Sequence, residues 1–247
     1  MKMSNTNGRL NRIEIFSEMN PCEVFSRRNF CPGVDKPEKW SMLEVLAGKP
    51  DKLLARYTDP LTAFKAFLEK NSDASLIQSF IRKRVAESID DWRSVMPNQD
   101  PEALTWRRHN YAMRNDDQVN REIIQYGKRL SDGQILYHGG CFPDELNRLD
   151  RPLSTSLSFV VSYIEGLQHA VRAGWSRFVV YVLKFRNPVS KAFVYDINDA
   201  EFGHEFEVVV GSGATFAERT SIYQSRTSVE YPRPREVNVD LELISIT

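Results

Sequence analysis

Phe178-Val179-Val180-Tyr181-Val182-Leu183 is the stretch of sequence that decides the fold. Every position is apolar, and a short apolar run without alternation is typical of a strand that is buried on both faces of a sheet. Other segments after Gly133 have the β-branched and aromatic composition of strands. These segments are 135–137, 192–195, 207–210 and the alternating apolar positions of 237–243. The second half of the chain is therefore predicted to form a sheet around 178–183, interrupted by one helix near 160–171.

The half of the chain that precedes this sheet has helical periodicity. Asp59 followed by Pro60 predicts a helix start, because an Asp side chain caps the first turn and Pro is tolerated at the first helical position. A second apolar stripe covers 77–85, and a third covers 119–130 and is predicted to be capped by Asp116-Asp117. Helices first and strands afterwards predict an α+β fold.

These patterns divide the chain into three predicted segments. Residues 1–57 hold no period for more than a few positions and are predicted to be a leader and irregular segment. Residues 58–130 are predicted to be a helical region that is available for target binding. Residues 131–247 are predicted to be the core that carries the sheet.

Composition excludes several classes of protein. The 247 residues carry 33 Lys and Arg against 33 Asp and Glu, so the formal net charge is +0. A protein that binds nucleic acid or an anionic membrane through charge needs a basic surplus, so neither partner is expected. The N-terminus lacks the apolar run of a removable secretory signal, and synthesis in the cytosol is expected. Cys22, Cys31 and Cys141 lack the spacing of a zinc or disulfide framework, so no metal is expected.

Three short segments could carry chemistry. The first is Leu136-Tyr137-His138-Gly139-Gly140, a strand end followed by two residues that allow close approach. The second is Pro152-Leu153-Ser154-Thr155-Ser156-Leu157-Ser158, a hydroxyl cluster that ends a short strand and caps a helix. The third is His204-Glu205-Phe206-Glu207-Val208-Val209-Val210, where two carboxylates two residues apart project to one side of a strand. Separately, each segment also fits a structural role: a strand-end histidine, a helix cap or a solvated edge.

In this order, the three segments resemble the mono-ADP-ribosyltransferase family, in its Arg-Ser-Glu branch of bacterial toxins and effectors. The third segment carries the most specific likeness, because the Glu-x-Glu and its apolar triplet are followed by Gly213-Ala214-Thr215-Phe216. The resemblance covers roughly residues 115–247. It implies that the core, residues 131–247, is an ADP-ribosyltransferase-like split β-sandwich and that NAD is the co-substrate.

The resemblance also implies roles for individual residues. Glu207 would hold a hydroxyl of the nicotinamide ribose and stabilise the oxocarbenium-like centre that forms as nicotinamide leaves. Ser154 would orient Glu207, and Glu205 would sit on the turn that faces the acceptor and help to position or activate the nucleophile. Phe202 would be the aromatic residue of the turn that faces the acceptor.

The same resemblance implies a set of NAD-binding residues, with one departure from the branch. His138 stands where the branch has an arginine, and a neutral imidazole cannot grip phosphates bidentately. If His138-Gly139 acts like the His-Gly of the diphtheria-toxin branch, His138 would bind NAD through a sugar, and the phosphate contacts would come from elsewhere, such as a nearby arginine. The NAD-binding residues implied are Tyr137, His138, Gly139, Thr155 and Ser156, with Arg148 and Arg151 as the phosphate candidates.

As a whole, the resemblance implies a secreted bacterial effector that transfers ADP-ribose from NAD to a host protein and releases nicotinamide. Such a protein would be made in the bacterial cytoplasm, delivered by a type III-like route and active as a monomer in the host cytosol. Ubiquitin, modified on Thr or Arg, is one candidate acceptor. Two alternatives stay open: an NAD glycohydrolase toxin, and a catalytically inactive binding module on the same scaffold.

Overall fold

The structure is a computed structural model that describes residues 8–25, 53–69, 74–110, 113, 115–140, 142, 147–199, 201–229 and 235–247. Two of the cysteines, Cys31 and Cys141, lie outside these residues. The chain forms two compact units, of which one is Phe16–Ile77 and the other combines Met1–Ile15 with Gln78–Thr247. This division differs from the three predicted segments, because helices from 58–130 occur in both units.

The smaller unit contains a two-stranded antiparallel sheet of β1 (Cys22–Phe25) and β2 (Leu53–Tyr57), followed by helix α1 (Pro60–Leu68). The predicted helix start is confirmed, since the Asp59 carboxylate accepts backbone hydrogen bonds from Leu61 and Thr62 at 2.9 Å each. The prediction of irregular structure is wrong at the two strands. They are only four and five residues long, too short for a sustained alternation, and each is specified by pairing with the other.

The other helices are α2 (Ala74–Arg93), α3 (Glu102–His109), α4 (Asp116–Tyr126) and α5 (Phe159–Ala173). Ser158 caps α5 as predicted. The predicted cap of α4 is wrong by one residue, because the Asn115 side chain accepts the capping bond from the Gln118 N–H at 3.1 Å. Asp116 and Asp117 occupy the first turn instead, where their negative charges interact favourably with the helix dipole. None of the helices in the described ranges has the length and apolar content needed to cross a membrane.

Eight strands form one sheet in the larger unit, in the order β3-β7-β8-β5-β4-β6-β10-β9. Their bounds are β3 Lys128–Arg129, β4 Ile135–Gly140, β5 Leu153–Ser156, β6 Arg177–Phe185, β7 Lys191–Val194, β8 Glu207–Val210, β9 Phe216–Val229 and β10 Arg235–Ile246. Residues 178–183, the apolar run that was predicted to lie at the centre of the sheet, belong to β6, between β4 and β10, and all six are buried. The chain is thus a mixed helix and sheet fold, as predicted, and β9 is a strand that the sequence did not reveal.

The middle of this sheet has a seam between β4 and β5. These two strands share a single registered pair, Tyr137 with Ser156, whereas β4 pairs with β6 along its whole length. Four strands lie on each side of the seam. The split β-sandwich architecture itself stays a prediction.

Helix α5 packs against β4 through two glycines. A Cβ atom added at Gly139 would lie 1.9 Å from the backbone oxygen of Ser162, and a Cβ atom added at Gly166 would lie 3.1 Å from the Gly139 Cα. Only glycine lets a helix and a strand approach so closely. This contact fixes α5 beside the strand that carries Tyr137 and His138.

Candidate functional site

A cavity of about 360 Å³ lies at the seam of the sheet. Its walls come from α3, β4, β5 and α5, and from the chain that leads into β8. The cavity brings together most of the residues that the sequence singled out. These are Tyr137, His138, Gly139, Ser154, Thr155, Ser156, Phe202, Glu205 and Glu207.

The first residue of β8, Glu207, is held by two neighbours in this cavity. Its side chain is only 9% exposed, and the Ser154 hydroxyl donates a hydrogen bond to its Oε1 at 2.6 Å. Arg107 Nη1 reaches the same oxygen at 3.2 Å, while Arg107 Nη2 donates to the Ser154 hydroxyl at 2.7 Å. The antiparallel pairing of β5 with β8 brings the serine to the carboxylate. The three side chains form a closed network around one carboxylate oxygen.

Sequence reasoning missed Arg107, which helix α3 brings to the site. Glu122 of α4 accepts hydrogen bonds from the free N–H groups of Ala103 and Leu104 at 3.1 and 3.0 Å. The hydroxyl of Tyr195, the residue after β7, donates to the Leu104 carbonyl at 2.8 Å and anchors the helix at that residue. Arg107 follows Ala103 and Leu104 on the buried face of α3. A charged residue on the apolar face of a helix needs a buried partner. The position of Arg107 on such a face was the signal from which the sequence could have indicated its role.

The adjacent Arg108 contacts a different part of the site. Its guanidinium group lies over the rings of Tyr195 and Phe202, at 4.5 and 5.3 Å from their centroids. Its Nε lies 3.7 Å from Glu207 Oε2 and its Nη1 lies 3.9 Å from Asp199 Oδ2. These are ion pairs beyond hydrogen-bonding distance. Arg108 therefore links the catalytic candidate Glu207 to the chain that carries Phe202.

The second carboxylate, Glu205, lies on a turn, as the resemblance implied, and not on the strand that the Glu-x-Glu spacing predicted. It ends a turn of 3₁₀-helix, Gly203–Glu205, and Phe206 then takes a left-handed conformation with φ of 49°. Both carboxylates still line the cavity. Burial, and then the charge of Glu207, raise the pKa of Glu205 to about 7.

His138 is a neutral hydrogen-bonding group. Burial lowers its pKa to about 4. Its Nδ1 lies 2.8 Å from the Ser154 carbonyl oxygen, which can only accept, so Nδ1 carries the proton and donates. The lone pair is then on Nε2. The ring also stacks on Phe142, with centroids 5.0 Å apart. His138 can accept a bond from a hydroxyl but cannot neutralise a phosphate.

The remaining hydroxyls at the seam hold the backbone together. Thr155 donates to the Val208 carbonyl and Ser156 to the Glu205 carbonyl, each at 2.6 Å. Ser156 thus ties the turn before β8 to the end of β5. These bonds position the chain around Glu207, although both residues also line the cavity.

The two arginines proposed as phosphate ligands, Arg148 and Arg151, are not among the residues that line the cavity. Arg148 Nε instead donates to the Gly213 carbonyl at 3.2 Å in an exposed position. The arginines that line the cavity are Arg107, Arg108 and Arg172. Closeness to His138 in the sequence was a poor guide, because α3 and α5 approach the cavity from elsewhere in the chain. Within the described ranges, no group of three or more His, Cys, Asp and Glu side chains could hold a metal.

Comparisons with known proteins give only distant similarity. No protein-family model matches the sequence, and no curated protein matches it. Among solved structures, the chain is similar to the enzymatic component C2-I of the C2 toxin from Clostridium botulinum, with 14% identity and a TM-score of 0.37. That alignment covers 64% of this chain and 46% of C2-I, so this chain spans less than half of that protein.

Two further similarities are to smaller proteins. Plx2a, an ADP-ribosyltransferase toxin from Paenibacillus larvae, is 11% identical with a TM-score of 0.33, covering 68% of this chain and 96% of Plx2a. The ADP-ribosyltransferase Vis in complex with agmatine is 14% identical with a TM-score of 0.32, covering 75% of this chain and 74% of Vis.

Proposed function

We propose that this protein is a mono-ADP-ribosyltransferase, which transfers ADP-ribose from NAD to a macromolecular acceptor and releases nicotinamide. The observation that supports this most directly is the buried Glu207 carboxylate, which Ser154 holds in a cavity that also contains Glu205 and the neutral His138. The order of these residues matches the resemblance that the sequence shows to this family.

The chemistry follows from the charges of the site. When the bond between nicotinamide N1 and ribose C1′ breaks, its electron pair leaves with nicotinamide and the ribose becomes cationic. The carboxylate of Glu207 stabilises this cation, and because Glu207 is buried such stabilisation is worth more than in solution. The same carboxylate accepts a hydrogen bond from a ribose hydroxyl.

The acceptor then attacks C1′. A nucleophilic O–H or N–H of the acceptor bonds to C1′, and its proton goes to the Glu205 carboxylate. With a pKa of about 7, Glu205 is a suitable base at neutral pH, because a base is most efficient when its pKa lies near the working pH. His138 Nε2 is free to accept a hydrogen bond from a sugar hydroxyl of NAD, which supports binding through sugar rather than phosphate.

The biological setting is part of the same proposal. The acceptor is a host protein, with ubiquitin, on Thr or Arg, as one candidate. The protein acts as a monomeric bacterial effector that a type III-like route delivers to the host cytosol. Phe202, beside Glu205 on the turn, contacts the acceptor, and the helices between residues 58 and 130 contribute to target binding.

Nicotinamide release tests the first half of the reaction. Purified protein is incubated with NAD and the released nicotinamide is quantified by chromatography. Glu207→Gln keeps the shape of the side chain and removes its charge, and we expect kcat to fall about 100- to 1,000-fold. Glu236→Gln, an exposed carboxylate on β10, is the matched control. Equal rates for Glu207→Gln and the wild type would overturn the assignment.

Transfer tests the second half. Biotin-labelled NAD is incubated with the protein and a eukaryotic cell lysate, and labelled proteins are identified by mass spectrometry. Glu205→Gln should lower labelling more than it lowers nicotinamide release, because the bond to nicotinamide breaks before the acceptor gives its proton to Glu205. Nicotinamide release without any labelled protein would favour the NAD glycohydrolase. Absence of both would favour the inactive binding module.

A further inference from the structure

The two consecutive arginines at the end of α3 are both almost fully buried, with side chains 1% and 4% exposed. Burying a guanidinium group is strongly unfavourable unless charged or polar partners compensate it. Arg107 finds its partners in Ser154 and Glu207, and Arg108 finds them in Asp199 and Glu207. A helix that only supported the sheet would not need either charge.

Resting on the proposed function, we propose that Arg107 and Arg108 are positioning residues with separate tasks. Arg107 fixes the carboxylate of Glu207 for the release of nicotinamide. Arg108 fixes the turn that carries Phe202 and Glu205 for attack by the acceptor. Helix α3 thus completes a transferase site whose other parts come mainly from the sheet and α5.

The task of Arg107 follows from its bidentate contact. Two of its nitrogens reach Glu207 Oε1 and the Ser154 hydroxyl at the same time, and the serine donates to that same Oε1. Oε1 is therefore held, and Oε2 is the oxygen left to receive the ribose hydroxyl. A lysine has a single ammonium group and cannot reproduce this fork.

The task of Arg108 follows from its place between two elements. One face of the group covers Tyr195, the residue after β7, and its contacts are with Asp199 and Phe202, which both precede the turn Gly203–Glu205 in the sequence. The neighbouring His109 adds an edge-on ring contact with Phe202 at 5.1 Å. The end of α3 thus sets where Glu205 lies relative to Glu207.

Kinetics of the full-length chain separate the two tasks. For Arg107→Met we expect kcat for nicotinamide release to fall about 100-fold, with KM for NAD changed less than about threefold, because the lost contact orients the carboxylate and does not bind substrate. Arg107→Lys should not restore kcat. Arg177→Met is the matched control, since Arg177 pairs with the buried Asp240 and does not line the cavity.

A double-mutant cycle distinguishes a shared action of Arg107 and Ser154 on Glu207 from a purely structural effect of the substitution. Arg107 and Ser154 act on the same oxygen, so Arg107→Met combined with Ser154→Ala should lower kcat by much less than the product of the two single effects. Independent, multiplying effects would overturn the task of Arg107, as would wild-type kcat in Arg107→Lys. If Arg107→Met does not fold, the kcat of Arg107→Lys tests the task of Arg107 by itself: a low value supports it and a wild-type value overturns it.

Arg108→Met should lower the ratio of lysate labelling, measured with biotin-labelled NAD, to nicotinamide release about tenfold. An unchanged ratio would overturn the task of Arg108. Wild-type protein that releases no nicotinamide would overturn the proposed function and this inference with it. Active wild-type protein with unaffected arginine variants would overturn this inference alone.

Discussion

Gly139→Ala should destabilise the protein strongly, although it adds only one methyl group. The added Cβ would lie 1.9 Å from the Ser162 carbonyl oxygen and 2.9 Å from the Gly166 backbone nitrogen. Ordinary van der Waals contact begins at 3.4 Å, so the shortfall to the oxygen is 3.4 − 1.9 = 1.5 Å. Both obstacles are backbone atoms, which cannot rotate away as a side chain can.

The cost can be worked from this shortfall. Helix α5 has to move about 1.5 Å away from β4, which would loosen the packing of its buried face. Overpacking that forces backbone shifts costs about 1–3 kcal/mol and sometimes more, and this clash belongs at the upper end. With about 2–4 °C of Tm per kcal/mol for a chain of this size, we expect Tm to fall by about 6–12 °C.

Thermal and urea unfolding, followed by circular dichroism, measure this effect. Gly174→Ala is the matched control at the end of the same helix, where φ is 74° and no atom lies within 4 Å of the added Cβ. Only backbone strain opposes that change, and it should cost about 1–2 kcal/mol. A Gly139→Ala protein as stable as the wild type, or more stable than Gly174→Ala, would refute the close approach of α5 to β4.

Two further predictions concern pH. Transfer to the acceptor should rise with pH around a midpoint of about 7, since Glu205 has to lose its proton to act as a base. Glu205→Gln should remove this rise from the pH–rate profile. A wild-type profile that is flat between pH 5 and 9 would contradict the role of Glu205 as a base. Burial lowers the pKa of His138 from 6.5 to about 4, so its contribution to stability is present above pH 6.5 and is lost as pH falls toward 4, by up to about 3 kcal/mol. The urea midpoint of His138→Gln should therefore depend less on pH over this window than that of the wild type. An equal dependence would count against the buried neutral ring.

The strands that the sequence revealed are those whose burial dictates their composition. Residues 178–183 and 208–210 are apolar because both faces of β6 and β8 are covered. Strand β9 is as long as 14 residues but lies at the edge of the sheet with mostly exposed side chains. Its form is set by pairing with β10, which leaves no hydrophobic pattern to read.

The candidate site divides in the same way. Ser154, Glu205 and Glu207 were found because each lies in a segment with a recognisable local pattern. Arg107 was missed because its role depends on contacts made 47 and 100 residues away, which no local pattern encodes. Arg148 and Arg151 were chosen for their nearness along the chain, and neither is among the residues that line the cavity.

The network around Glu207 also bears on how the protein folds. Its hydrogen bonds join positions that are 53 and 100 residues apart, so large loops must close before any of them forms. Contacts of such high order form slowly and late compared with local helical turns. We therefore expect a partly folded chain to lack the assembled carboxylate site even where local helical turns have formed. In a fragment that begins after residue 110, Glu207 would lack Arg107, so if Arg107 positions this carboxylate we expect that fragment to be inactive.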